Sequence, residues 1–323
     1  MSFRAEYRER TNECDLSPAV QSFLHEARGG LSLPIPGHGK TPERLRALRT
    51  QAGTDASVGR LLEAHSDAIA ILFEASVRPP PLAALAVWAS GPTTSARVEM
   101  KGDGFVLNGK RSFCGGATIV DAALVTVDSP DGERLVLVHL DEPGISVDSS
   151  TWKVPAFHDA GVATVFFDDV RLDTRSLIGP PGWYGSRPGF WFGAVGVAAV
   201  WAGIADLLLA SLPALRRHGD DISHVATGSV EAAMWAVSAL LDQAASQIDA
   251  PSATDAVRRA RSIALSCRHS VRSQLESAIL AFDQEVGPAA VAFDAVLART
   301  RTELQMSLAQ THGARDLILL GRS

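Results

Sequence analysis

The sequence predicts an α+β fold in three parts: an N-terminal helical unit, a central antiparallel β-barrel or sandwich, and a C-terminal helical bundle. Three observations carry this. Apolar residues recur with a helical period over residues 15–28 and 41–76. The period changes to two from Leu82 to about Gly179. It returns to the helical value from Pro188 onward. The implied domains are 1–81, 82–180 and 181–323.

In the first part, Gly29 to Lys40 (GGLSLPIPGHGK) is a Gly- and Pro-rich loop between two helices. Thr41 followed by Pro42 marks the start of the second helix, as an N-cap with proline at the first helical position. The GHGKT end of the loop lacks the upstream glycine and preceding strand of a phosphate-binding loop, so that motif is rejected. The helix must stop at Arg78-Pro79-Pro80-Pro81, because each proline removes a donor and disfavours helix in the residue before it.

The second part is a series of short β-like runs (LAALAVWAS, ARVEM, GFVLNG, DAALVTV, RLVLVHL, VATVFFDDVRL) punctuated by turn residues. Its centre is Lys101 to Ala117, KGDGFVLNGKRSFCGGA. The Asn108-Gly109 pair between apolar residues predicts a hairpin, and Gly115-Gly116 leaves room for a flat ligand near Phe113.

In the third part four long segments, about 189–217, 226–249, 252–286 and 288–320, are expected to be helical, with breaks at Ser252 to Asp255 and at Gly287-Pro288. The run from Gly189 to Ala210 holds one acid, Asp206, and many small residues, which predicts a helix packed on all sides inside the protein, with no membrane span.

Composition narrows the function. The chain has 323 residues, 46% hydrophobic and 20% charged, which suits a globular protein with a large core. Thirty basic against 36 acidic residues give −6, with no basic run, so nucleic acid is not an expected partner. Three scattered cysteines, Cys14, Cys114 and Cys267, exclude a disulfide framework and a CxxC metal site. Together with a charged N-terminus lacking a signal-peptide core, they predict a cytoplasmic protein. RRHGDDISH, with His218, Asp220, Asp221 and His224, has metal-ligand residue types but reads as an interhelical loop. His312, Arg315 and Asp316 share a helix face and either line a pocket or form a structural ion pair, the second being the preferred reading. Ser186 has no His and Asp at recognisable spacing, so hydrolase chemistry has no support.

Four stretches resemble the acyl-CoA dehydrogenase superfamily of flavoproteins. They are GDGFVLNGKRSFCGGATIVDAALVTV, WKVPAFHDAGVATVFFDDVRL, LIGPPGWYGSRPGFWFGAVGVAAVWAG and LAQTHGARDL, spread between about residues 82 and 316. The resemblance implies FAD as cofactor and a small-molecule substrate, an acyl-CoA among the candidates. It also implies a homodimer or homotetramer. Trp88 and Ser90 stand at the strand end that meets the flavin pyrimidine edge in that family. Phe113 stands where an aromatic lies beside the isoalloxazine, and Gly115 where a hydroxyl approaches flavin N5. Arg187 matches an Arg at the start of the helix behind the active site. Arg217 and Gly219 match residues on the adenosine diphosphate part of FAD, and Gln310 and Gly313 residues that reach a neighbouring subunit's FAD.

The implied activity is hydride transfer from a CH–CH unit of an acyl thioester or related substrate to flavin N5. That chemistry needs a carboxylate base. The family's two base positions are expected to be empty here: one loop lies beyond Ser323, and Ser186 stands before Arg187. The alternatives are a flavin-dependent monooxygenase on the same fold, which the small residues of FCGGA suit, or a non-catalytic flavin-binding or scaffold protein.

Overall fold

The structure, a computed structural model, describes residues 11–89, 96–215, 221–251 and 255–322. The chain divides into two units, the first Met1–Ser32 with Arg60–Arg187 and the second Leu33–Gly59 with Pro188–Ser323.

In the first unit, α1 (Pro18–Arg28) begins at Ser17, whose Oγ accepts from the Val20 amide at 3.4 Å, with proline at the first helical position. Helix α2 (Thr41–Ala52) belongs to the second unit, and α3 (Ala56–Glu74) passes from the second into the first. Helix α3 ends before Ser76, which takes a left-handed φ of 56°, and the proline run follows as loop.

Among the described residues, eight strands form two four-stranded sheets: β1 (Leu85–Trp88), β2 (Arg97–Lys101), β3 (Gly104–Cys114), β4 (Ala122–Val127), β5 (Arg134–His139), β6 (Ile145–Asp148), β7 (Ala163–Leu172) and β8 (Leu177–Ile178). The sheet orders are β1-β4-β5-β8 and β2-β3-β7-β6. Every named pairing is antiparallel except β1 with β4, which run parallel. Strand β4 is buried at all six positions, in keeping with its run AALVTV, apolar except for Thr126.

The hairpin is not where the Asn-Gly signal puts it. Lys101 pairs with Gly104, so the chain reverses at Gly102-Asp103, and β3 runs straight through Asn108-Gly109. There the β3–β7 register shifts between Leu107 and Gly109, and Gly109 has φ of 111°. The pair is a bulge. Asn108 explains why: its side-chain Oδ1 accepts from the Asp169 amide at 2.9 Å, and its Nδ2 donates to Asp169 Oδ1 at 3.2 Å. The dipeptide's taste for positive φ is spent inside a strand because the partner strand matches it with Asp169 at φ of 50°.

The second unit is built on α5 (Pro188–Leu209), reached through the short α4 (Trp183–Ser186) of the first unit. It continues through α6 (Leu212–Leu215), α7 (Asp221–Asp249), α8 (Ala256–Phe293), α9 (Ala295–Leu308) and α10 (Ala314–Gly321). Helix α5 packs against α2, α7, α8 and α9, and 72% of its most apolar 18-residue window is buried inside the protein. Its one acid, Asp206, takes a two-pronged ion pair from Arg49 of α2, with Nε at 2.6 Å and Nη2 at 2.9 Å.

Thr41 is the first residue of α2 rather than its N-cap. The Asp249 carboxylate takes over the cap: it accepts from the Gly39 amide at 3.1 Å, the Thr41 amide at 2.9 Å and the Thr41 hydroxyl at 2.6 Å. Helix α8 carries non-helical backbone at Gly287 (φ 68°, ψ 175°) just before Pro288, the expected break. The segment expected as 288–320 is broken again at Asp294, which caps α9 through the Val296 and Leu297 amides, and at residues 309–313.

Candidate functional site

The end of β3 turns sharply. Its register against β7 shifts between Arg111 and Cys114, and Phe113 is forced to φ of 59°. A left-handed conformation costs a β-carbon-bearing residue roughly 1–2 kcal/mol. Phe113 is nonetheless 61% exposed, touching the Trp152 ring edge-on at 6.0 Å. A strained, solvent-facing aromatic is what a ligand surface needs and a core does not.

The two glycines that follow do different things. Gly116 has φ of 77°, and a β-carbon on it would stand 2.6 Å from Val120 Cγ1, so the backbone requires glycine there. Gly115 has no positive φ, and a β-carbon on it would meet nothing within 4 Å. Its backbone is held on both sides. The Gly115 amide donates to Phe113 O at 3.1 Å, and its carbonyl accepts from the indole Nε1 of buried Trp88 at 2.9 Å. Next along, the Gly116 amide donates to Ala160 O at 2.8 Å, which brings up the 157–161 turn with its exposed His158. Phe113, Gly115 and Trp88 therefore meet at one rigid corner, with Trp152 and His158 on its flanks.

Cys114, between Phe113 and Gly115, is buried, and burial pushes its thiol up to about 12. It is a thiol at neutral pH and no nucleophile.

Arg187 belongs to the same unit. It is only 7% exposed, with Nη1 on Glu74 Oε1 at 3.0 Å and its guanidinium carbon 5.4 Å and 5.1 Å from the centres of the Trp183 and Tyr184 rings. Its Nε is buried without a hydrogen-bond partner. Burial pushes the Tyr184 phenol up; Arg187 opposes this, while Asp67 and Glu63 add to it. Glu63, Asp67 and Glu74 sit four and seven residues apart on α3, on one helix face. These acids drew no attention as a set in the sequence, although the spacing was there to find.

A second buried guanidinium, Arg111 of β3, is 2% exposed. Its Nη2 donates to Thr126 Oγ1 at 2.7 Å, while Nε and Nη1 have no partner. Burial lowers its pKa, with Cys114 and Glu133 opposing. A cavity of about 640 Å³ at the start of β3 involves Lys101, Arg171 and Arg175, balanced by Asp103, Glu142 and Asp173. It lies at the far end of β3 from Phe113 and offers no net charge for a ligand.

In the second unit, Gln310 and Gly313 fall on the loop between α9 and α10. Arg268 Nη2 reaches the Gln310 carbonyl at 3.4 Å, and Arg272 binds the neighbouring Thr311 hydroxyl. Gly313 precedes α10 with φ of 52° and ψ of −117°. His312 and Asp316 form the expected pair, Nδ1 to Oδ1 at 3.7 Å. Ser90, Arg217, His218, Gly219 and Asp220 lie outside the described residues, and no metal-holding cluster of three His, Cys, Asp or Glu occurs among the described ones.

No protein-family model matches the chain. The crystal structure of TdsC from Paenibacillus sp. A11-2, a dibenzothiophene monooxygenase, in complex with FMN and indole superposes with a TM-score of 0.78. That match covers 97% of this chain and 92% of TdsC at 17% identity. The nitrososynthase of Micromonospora carbonacea var. africana gives 0.78 over 97% of this chain and 90% of its own at 18% identity. The chain has the acyl-CoA dehydrogenase fold. In sequence, it is 27% identical over 198 residues to the isobutylamine N-hydroxylase of Streptomyces viridifaciens, a match covering 51% of the chain. The chain spans about half of that relative's length, 52%. The Phe113–Gly116 corner combines an exposed aromatic at left-handed φ with a neighbouring glycine that has open space over it.

Proposed function

We propose that the chain is a flavin-dependent monooxygenase subunit that oxygenates a small molecule, with an amine nitrogen as the favoured acceptor. The observation that carries this is the corner at Phe113 and Gly115. An exposed aromatic held in a strained conformation beside a backbone with open space above it fits a flat ring that must be approached from one side. A reduced flavin bound there supplies two electrons to dioxygen, so that one oxygen atom enters the substrate and the other leaves as water.

The chain's own residues hold and shape this surface. Trp88 fixes the Gly115 carbonyl, Phe113 offers its face for stacking, and Trp152 supports Phe113 from the side. His158 lies on the 157–161 turn that the Gly116 amide reaches through the Ala160 carbonyl, with its Nδ1 3.2 Å from Asp159 Oδ1. The similarity to a dibenzothiophene monooxygenase, a nitrososynthase and an N-hydroxylase supports oxygen transfer over dehydrogenation of an acyl thioester. The reading therefore drops acyl-CoA as the substrate. Both FAD, from the family resemblance, and FMN, as in the TdsC complex, present the same ring. In this reading Gln310 and Gly313 serve the flavin of a neighbouring subunit in a homodimer or homotetramer.

The test is a titration of the purified protein with FMN and FAD, followed by oxygen uptake with reduced flavin supplied by a reductase. Binding of one flavin and uptake that rises with a primary amine or a heteroaromatic sulfide is the expected result. A protein that binds neither flavin contradicts the proposal.

A further inference from the structure

We infer that Gly115 is a specificity-determining residue: its missing side chain leaves the space in which dioxygen meets the reduced ring, which commits the site to oxygen transfer. The inference rests on the oxygenase reading above and assigns that reading's outcome to one residue. Of the two adjacent glycines, the fold needs only Gly116. Its φ of 77° and the 2.6 Å approach to Val120 Cγ1 leave no other choice. Gly115 has neither constraint, since a β-carbon there would touch nothing within 4 Å. The fold would accept alanine or serine at 115.

The space is also fixed in position. The Gly115 amide and carbonyl are tied to Phe113 and to the buried Trp88, so the backbone facing this open space is held in place. No atom stands within 4 Å of where a Gly115 β-carbon would be, and Cys114 is turned away to the Arg111 carbonyl at 3.2 Å. Such a space suits a small apolar diatomic beside a flat ring, and it offers no hydroxyl to hold the ring's reactive edge. A reduced flavin held there would supply two electrons and two protons to dioxygen, so that as the O–O bond breaks one oxygen enters the substrate's N–H bond as N–OH and the other leaves with the two protons as water.

The experiment compares the wild type with Gly115→Ala and Gly115→Ser. Melting temperatures establish that the variants fold, and flavin affinity is measured by titration. Reoxidation of protein-bound reduced flavin by air-saturated buffer, without substrate, is then followed by stopped-flow absorbance, and hydrogen peroxide is quantified under turnover. The expected result is unchanged melting and flavin affinity within about threefold of the wild type. Reoxidation should slow by roughly tenfold in Gly115→Ser, with a smaller effect in Gly115→Ala, and peroxide should rise at the expense of product. Variants that bind flavin and reoxidise it as the wild type does overturn this inference and leave the oxygenase reading standing. Folded variants that lose flavin altogether also overturn it, because the space then belongs to the ring. A wild type that binds no flavin removes the oxygenase reading, and this inference with it.

Discussion

Gly115 and Gly116, adjacent in the chain, have opposite constraints, and stability measurements separate them. Gly116→Ala meets Val120 Cγ1 and a left-handed backbone, so it is expected to cost about 1–3 kcal/mol in urea unfolding. Gly115→Ala is expected to stay within about 0.5 kcal/mol of the wild type. Equal effects would contradict the geometry. Trp88→Phe keeps most of the ring but leaves the Gly115 carbonyl without its 2.9 Å donor. We expect a loss of about 1–2 kcal/mol of stability, together with weaker flavin binding, because the corner is no longer braced. Flavin affinity untouched by this variant would show that Trp88 supports only the fold. Phe113, Gly115 and Trp88 could each be picked out in the sequence as aromatic or glycine in a suggestive place. Their meeting could not, because it runs through one indole hydrogen bond between residues 27 positions apart. The partnership of Arg187 with Glu74, 113 positions apart, was illegible for the same reason.

Between elements, buried polar side chains do the joining. His65 of α3 is 1% exposed. Its Nδ1 accepts from the Leu85 amide at 3.1 Å, and its Nε2 donates to the Leu31 carbonyl at 3.1 Å. This arrangement needs the neutral ring, and burial lowers the pKa below the 6.5 of a free imidazole. The unfolded chain therefore takes up a proton that the folded one refuses. The stability from His65 is complete above pH 6.5 and falls below it, by up to about 1.4 kcal/mol per pH unit. His65→Gln should flatten that slope between pH 6.5 and 5 in denaturant titrations; a slope unchanged by the substitution would contradict the assignment. In the second unit, Asp249→Ala removes three acceptor contacts from the start of α2 and is expected to cost about 1–2 kcal/mol. Element types were legible because hydrophobic periodicity is a local property, and so was the break at Gly287-Pro288. The errors came where a distant partner overrode a local signal. Asp169 converts Asn108-Gly109 from a turn into a bulge, and Asp249 takes the cap that Thr41-Pro42 advertises.

Over the whole chain, the change of period near Arg78 and again at Pro188 was enough to predict an α+β order of helices, strands and helices, and 97% of the chain superposes on structures of that fold. The chemistry was harder to see. A fold leaves reaction type open, and here the distinguishing mark is an absence, a glycine with empty space above it. In the proposed reading that open space is what favours oxygen transfer. The measurement that tests this most directly uses the purified protein with reduced FMN or FAD, a primary amine and ¹⁸O₂, with the product analysed by mass spectrometry. The account predicts a hydroxylated product carrying one ¹⁸O atom. A product that has lost two hydrogens and gained no ¹⁸O, with the oxygen recovered only as peroxide, would contradict it.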